Sequence, residues 1–395
     1  MKWKKLAAAF AAAAIAGAAF SACGSKNEDS SFSAENKTSS VAEKATDEVI
    51  SVTVDDVTTH DKFGGILANI PGDEFIEHGF EYGDSVDVTL SNGYEFKDLP
   101  FFNGYYSRKG ENLLVAYPGS GYVNVQQNCG EDLWVVAGMT EGMSATFTLN
   151  EKGKYSDIQQ AFSLKYENER EKFESDEEFA NFREVKVGMI ADGALYRSAS
   201  PCDNKYNRAP YADKLAEQAG IGFIIDLADN DEDIAGYFAG EDFNSPYFKS
   251  LYEQGRVAPA SLGADYASEA YRKSLGEALI KALDSEGPIL VHCTEGKDRT
   301  GFVICMLSAL AGAEYDELKA DYMVTFKNYY GVTLEKNEEQ YNTIADNLFE
   351  SFIIYLTDNA GEGSDLQTAS EAYLRDCGLT EVQIAELSER LCTGK

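Results

Sequence analysis

Two segments in the second half of the chain, GFIIDL (222–227) and PILVHC (288–293), are apolar almost from end to end. A strand written that way has no face to offer water, so it belongs in the middle of a sheet covered on both sides. Between them, ASEAYRKSLGEALIKAL (267–283) repeats apolar residues at helical spacing, and further helices are predicted at about 300–312, 315–330, 337–356, 367–376 and 380–391. Strands alternating with helices predict an α/β domain, a parallel sheet with helices on both faces. Ligands of such sheets bind beyond the carboxyl ends of the strands, and Cys293 stands at one of those ends.

The stretch that follows, HCTEGKDRTG (292–301), leads from the strand into a helix. A loop entering a helix aims several backbone N–H groups at one spot, and the helix dipole adds about half a positive charge, so the place suits an anion. A thiol in that field loses its proton readily, which makes Cys293 a candidate nucleophile. Arg299 is placed to fold back over the loop and offer a planar, two-pronged donor to a tetrahedral oxyanion, and phosphate is the anion that fits. The same Cys-to-Arg spacing recurs in CDNKYNR (202–208), but there no strand precedes, no glycine lies in the loop and no helix pattern follows.

Other chemistries fit less well. A nucleotide-binding loop around Gly296-Lys297 needs a glycine where Val291 stands and a Ser or Thr where Asp298 stands. The chain has 3 histidines, none in a paired spacing, and no G-x-S-x-G. Catalysis is therefore expected to use no metal and no cofactor.

The run His292-Cys293-Thr294-Glu295-Gly296-Lys297-Asp298-Arg299-Thr300-Gly301 resembles the phosphate-loop signature of the cysteine-dependent protein tyrosine phosphatase superfamily. Its Gly-Lys-Asp-Arg-Thr form is similar to the bacterial tyrosine and phosphoinositide phosphatase family. GALYRS (193–198), FIIDLADNDED (223–233), ADYMVTFKNYYGV (320–332) and YLRDCGLTEVQIAELSERL (373–391) extend the resemblance over roughly 185–393. Ala228 departs from it, standing where the family often has arginine.

The resemblance implies that Cys293 attacks phosphorus to give a thiophosphate, while Arg299 and the amides of Thr294, Glu295, Gly296, Lys297, Asp298 and Arg299 bind the equatorial oxygens. It implies that Thr300 hydrogen-bonds the sulfur and that Asp298 is the general acid, with Asp229 and Asp265 as rivals. Lys297 at the rim favours substrates with more than one phosphate or is simply solvated. His292 is expected to orient the loop by hydrogen bonding, and Arg197 to be a structural ion-pair partner.

A chain of 395 residues is long for one core, and its first half has a different texture. From 49 to 150, short alternating runs such as SVDVTL (85–90), YVNVQQN (122–128) and ATFTL (145–149), split by turn pairs at Asn92-Gly93 and Cys129-Gly130, predict a small barrel or sandwich. Within it DKFGGILANIP (61–71) resembles a signature of the C-terminal barrel of S-adenosylmethionine hydroxide adenosyltransferases, departing at Gly65 and Ala68, and implies a barrel with no carried-over activity. Residues 151–184 read as a solvated helical connector, and 185–395 as the catalytic domain.

At the N-terminus a basic start, an alanine-dominated apolar run at 6–20 and small residues before Cys23 form an export signal over 1–22. This stretch resembles a bacterial lipoprotein signal, implying lipidation of Cys23, a flexible tether over 23–48, and a place on the outer side of the cytoplasmic membrane. A net charge of −33 argues against nucleic acid as a partner. The cysteines show no metal spacing, and Cys377 and Cys392 are either paired or free thiols. The expected function is phosphomonoester hydrolysis, on phosphotyrosine first, on inositol phosphates or phosphoinositides as the alternative, with capture of phosphorylated ligands without turnover as a third reading.

Overall fold

A computed structural model describes residues 49–60, 64–361 and 364–394. The predicted signal, the tether and Cys23 lie outside these residues, as does the start of the DKFGG stretch at 61–63. No helix among the described residues is long and apolar enough to cross a membrane.

The second half holds a five-stranded sheet in the order Val257–Pro259, Phe223–Asp226, Ile289–His292, Leu195–Ser198, Arg183–Glu184. All its pairings are parallel except the last, where the Arg183–Glu184 edge runs antiparallel to Leu195–Ser198. The two apolar strands lie side by side, Phe223 opposite Ile289 and Asp226 opposite His292. Successive side chains point to opposite faces: Phe223, Ile225, Ile289 and Val291 join one core, Ile224 and Leu290 the other. These side chains are at most 3% exposed, and burying each contributes about 1.5–3 kcal/mol. That double burial is why neither strand carries a polar face.

The predicted helices form at Glu269–Leu283, Asp298–Leu310, Tyr315–Tyr330, Leu366–Asp376 and Glu381–Thr393. The one predicted over 337–356 is a helical run broken by a π-turn, Glu338–Ile344, Ala345–Phe349 and Glu350–Ala360. Asp298–Leu310 is buried on nearly every side, packed between the sheet and the later helices.

The first half forms an eight-stranded sheet, Ser51–Val54, Ala145–Glu151, Ser85–Leu90, Glu95–Phe102, Asn112–Val115, Val123–Gln127, Gly65–Ala68, Thr58–His60. Only three residues, 55–57, join its two edge strands, so the sheet must curl until its edges approach. It encloses its own core, with Phe75, Phe80, Phe101 and Phe147 at 0% exposure.

The region read as a solvated helical connector is different. It is split into Ser156–Ala161, a 3-10 turn at Arg170–Lys172 and Asp176–Phe179. Phe162, Phe179 and Phe182 are buried, because aromatic residues spaced through a charged run bring it down onto both cores. Asn181 at its end, with φ 49, is itself 0% exposed.

Candidate active site

The phosphate-loop candidate leaves the sheet between two strand ends, Asp226 on one side and Ser198 on the other. Its carbonyls are turned outward into the protein. Thr294 O accepts from Ser200 N at 3.2 Å, and Glu295 O accepts from the Tyr329 hydroxyl at 2.6 Å. Gly296 O accepts from Arg197 Nη2 at 2.8 Å and from Asn181 Nδ2 at 3.3 Å. A run of peptides whose carbonyls all point out presents its N–H groups inward, which is the anion nest that the sequence predicts.

Glycine is required at 296 for two reasons. Its φ is +65, and a Cβ there would sit 2.1 Å from Ser198 O. Gly301 lets Tyr322 close on the following helix, where a Cβ would meet the ring at 2.8 Å.

Arg197 behaves as the ion-pair partner expected of it. It is 1% exposed, and its Nη1 meets Asp321 Oδ2 at 2.6 Å. Arg183 meets the other Asp321 oxygen at 3.0 Å and also donates to Asn181 Oδ1 at 2.7 Å. Burial opposes the Asp321 charge, yet the two guanidinium groups hold its carboxyl below the usual value. Asn181, Asp321 and Tyr329 are site residues that the sequence did not single out.

Cys293 lies at the floor of the loop, 3% exposed, at the amino end of the Asp298–Leu310 helix. Arg299 does fold back: Nη2 donates to Thr294 Oγ1 at 3.2 Å, and Nη1 to Leu262 O at 3.1 Å and Leu227 O at 3.4 Å. Burial disfavours its charge, but Cys293, Asp298, Asp229 and Asp226 around it raise the guanidinium above its ordinary value. The Cys293 thiol and the guanidinium therefore share one electrostatic site.

Asp298 opens the helix with its side chain 58% exposed, at the mouth of the loop. Of its rivals, Asp229 is buried and accepts from the Tyr237 hydroxyl at 2.9 Å. Asp265 is exposed and spends a carboxylate oxygen on its neighbour Ala267 N at 3.0 Å.

Lys297 is not freely solvated. Its Nζ lies 3.5 Å from Glu295 Oε2, 3.7 Å from Asp298 Oδ2 and 3.4 Å from the Tyr330 hydroxyl. Burial works against its charge, but Asp298, Tyr330 and Glu295 hold the ammonium well above the ordinary lysine value.

Two expected hydrogen bonds are not formed. The Thr300 hydroxyl is buried inside the first helical turn without a partner, so it does not reach the sulfur. His292 is 0% exposed and neither ring nitrogen is hydrogen-bonded. Its ring packs edge-on against Phe248 at 6.3 Å, and burial pushes the imidazole down to about 4. His292 shapes the loop by packing, and its main-chain carbonyl accepts from Leu227 N at 2.9 Å.

Behind the loop, Cys202, Asp226 and Asp229 bring one potential metal ligand each within 4.8 Å of one another. Burial raises the Asp226 carboxyl to about 6, and burial with the Asp226 charge raises Asp229 to about 7. Asp226 ends the Phe223–Asp226 strand and Asp229 lies in the loop that follows it, while Cys202 joins them from another segment, so no spacing in the sequence announces the three together. All six described cysteines, Cys377 and Cys392 included, are free thiols.

Residues 177–393, more than half of the chain, match the tyrosine phosphatase family, and the match begins ahead of the 185 boundary read from sequence because it takes in the buried 179–182 segment. The triple specificity protein phosphatase PtpB of Mycobacterium tuberculosis is 28% identical over 85 residues, which spans 22% of this chain and 28% of that protein. Among solved structures, the P. aeruginosa TpbA complex with pTyr is 17% identical and covers 42% of this chain and 86% of that one, at a TM-score of 0.24. The PP-IP phosphatase SIW14 of S. cerevisiae is 19% identical and covers 45% of this chain and 92% of that one, also at 0.24. The chain belongs to the tyrosine phosphatase family.

Proposed function

We propose that this chain is a cysteine-dependent phosphatase that hydrolyses phosphotyrosine in proteins. Cys293 attacks phosphorus, forming an S–P bond as the phosphorus–phenolate bond breaks, and Asp298 gives its proton to the departing oxygen. Asp298 then takes a proton from water, which attacks phosphorus, breaks the S–P bond and releases inorganic phosphate. Arg299 and the inward amides carry the equatorial oxygens through both steps. The observation that supports this reading most is the outward fastening of the carbonyls of Thr294, Glu295 and Gly296, which turns the N–H groups of the loop after Cys293 the other way.

A specific observation favours inositol phosphates or phosphoinositides as a second substrate class. Lys297, a member of the loop itself, keeps its charge beside Glu295 and Asp298 and offers a second phosphate of the same molecule a cation next to the first. Turnover of a phosphotyrosine peptide beside that of an inositol polyphosphate decides between them. A kcat/KM for the inositol compound more than tenfold above that for the peptide reverses the order proposed.

The chain is further proposed to work on the outer side of the cytoplasmic membrane, held by a lipid on Cys23, on the strength of residues 1–23 alone. Recovery of the Cys23→Ser protein in the membrane fraction would sink that part.

A further inference from the structure

The β-rich half is not merely attached to the catalytic half. Its turn at 107–111 and the one at 128–131 lie against the loop that runs from the Val257–Pro259 strand to the Glu269–Leu283 helix. In that loop only Leu262 and Tyr266 are buried between residues 261 and 267. Yet the loop has a precise task, since Leu262 O is the nearest backbone acceptor for Arg299, at 3.1 Å.

Two residues on, Ala264 O accepts from Lys109 Nζ at 2.8 Å and from the Cys129 thiol at 3.5 Å. The same ammonium sits 3.0 Å from the centroid of the Tyr266 ring, a desolvated cation–π contact of the stronger kind. Tyr266 in turn stacks on Phe302 of the catalytic helix, centroids 4.0 Å apart and rings 6° from parallel. The main chain that carries Lys109 is itself held from behind, by Lys109 N donating to Ser351 Oγ at 3.2 Å and by the neighbouring Arg108 Nε donating to Asp346 O at 3.0 Å. One lysine of the β region thus pins an otherwise exposed loop at both Ala264 and Tyr266, on either side of the acidic Asp265.

We infer that Lys109 is a positioning residue of the phosphatase site: by clamping Ala264 and Tyr266 it fixes Leu262 O and, through it, the guanidinium of Arg299. The β-rich half thereby forms part of the catalytic apparatus. The inference rests on the phosphatase reading of Cys293 and Arg299. The groups that face the ammonium are Cys129 from the β region, Asp298 from the catalytic helix, and Asp265 and Tyr266 from the clamped loop. Burial pushes the ammonium down to about 8 against the pull of Cys129, Asp298 and Asp265. The cation–π half of the clamp on Tyr266 is therefore present below that pH and lost above it, where the neutral amine keeps only its hydrogen bond to Ala264 O.

The test uses the full chain, with p-nitrophenyl phosphate as substrate and orthovanadate as the oxyanion probe, in wild type, Lys109→Met and Lys109→Arg. Lys97→Met, at an exposed ion pair elsewhere in the β sheet, is the control. The inference expects Lys109→Met to lose about tenfold in kcat/KM and in vanadate affinity, since misplacing a catalytic group by an ångström costs up to about a hundredfold. Lys109→Arg should restore most of both, and move the fall of kcat/KM that begins near pH 8 in the wild type to higher pH. Lys109→Met within twofold of wild type on both measures overturns the inference. If Lys109→Met does not fold, the comparison of Lys109→Arg with wild type still decides, an unchanged alkaline limb being the adverse result. A wild type that turns over no phosphate ester sinks the phosphatase reading instead, and vanadate binding by calorimetry then reads the clamp alone.

Discussion

Arg197 is pinned to Asp321 at 2.6 Å, and with its other nitrogen it holds Gly296 O at 2.8 Å. The pair lies behind the phosphate loop, with Arg197 at 1% exposure, so one buried charge supports the main chain that a substrate phosphate will meet. Removing one partner of a buried pair strands the other, at a cost of about 3–5 kcal/mol. Arg197→Met is therefore expected to lose that much stability in urea unfolding, and to lose phosphate affinity under conditions where it remains folded. A variant as stable as the wild type would mean that Arg183 alone satisfies Asp321.

Gly296→Ala tests the loop without touching any group that carries charge. The added Cβ would lie 2.1 Å from Ser198 O on a residue with φ +65. Backbone strain of this sort costs roughly 1–3 kcal/mol, and the clash must be relieved by moving the loop. Near-wild-type circular dichroism with at least a hundredfold loss of kcat/KM on p-nitrophenyl phosphate is expected. Retention of more than a tenth of the activity would show that the nest tolerates the displacement.

How much of this was legible depends on whether the information is contiguous. Cys293 to Gly301 could be read because strand, loop and helix start follow one another in the chain, and the doubly buried strands advertised the sheet. Asn181, Arg197 and Tyr329 hold the loop through its carbonyls, with Asp321 fixing Arg197 from behind, and a main-chain carbonyl imposes no residue type on its partner. The connector misled for a related reason. Its charge suggested a wet helix, whereas Phe162, Phe179 and Phe182 decide where it lies by burying themselves. Lys109 looked like any solvated lysine, since nothing local shows that Ala264 and Tyr266 wait for it across 155 positions of sequence.

The Cys202, Asp226 and Asp229 cluster predicts a pH dependence of stability. Burial and the neighbouring Asp226 raise the Asp229 carboxyl to about 7, above the roughly 3.9 of an unfolded aspartate. A raised carboxyl favours the protonated fold, so its contribution is complete below about pH 4 and is lost as pH rises through 7. Asp229→Asn, neutral at every pH and still able to meet the Tyr237 hydroxyl, should gain on wild type as pH rises, its advantage growing by roughly 2–3 kcal/mol between pH 5 and pH 8. The measurement is urea unfolding at both pH values, and a difference that stays constant between them would show that the cluster tolerates its charge.

The assignment of Asp298 as the acid is tested through the leaving group. A general acid matters in proportion to how badly the departing oxygen needs a proton, so its loss should be felt little by p-nitrophenolate and strongly by an ordinary phenol or alcohol. Asp298→Asn keeps the size of the side chain and its place at the start of the helix, and removes the transferable proton together with the charge that faces Lys297. Its kcat is expected to fall by about 10²–10⁴ on a phosphotyrosine peptide, the range a positioned acid supplies, and by far less on p-nitrophenyl phosphate. Asp298 is the exposed carboxylate at the mouth of the loop, whereas Asp229 is turned inward to Tyr237. Should both substrates slow equally, Asp298 serves only to hold Lys297 at 3.7 Å, and the proton must come from another group.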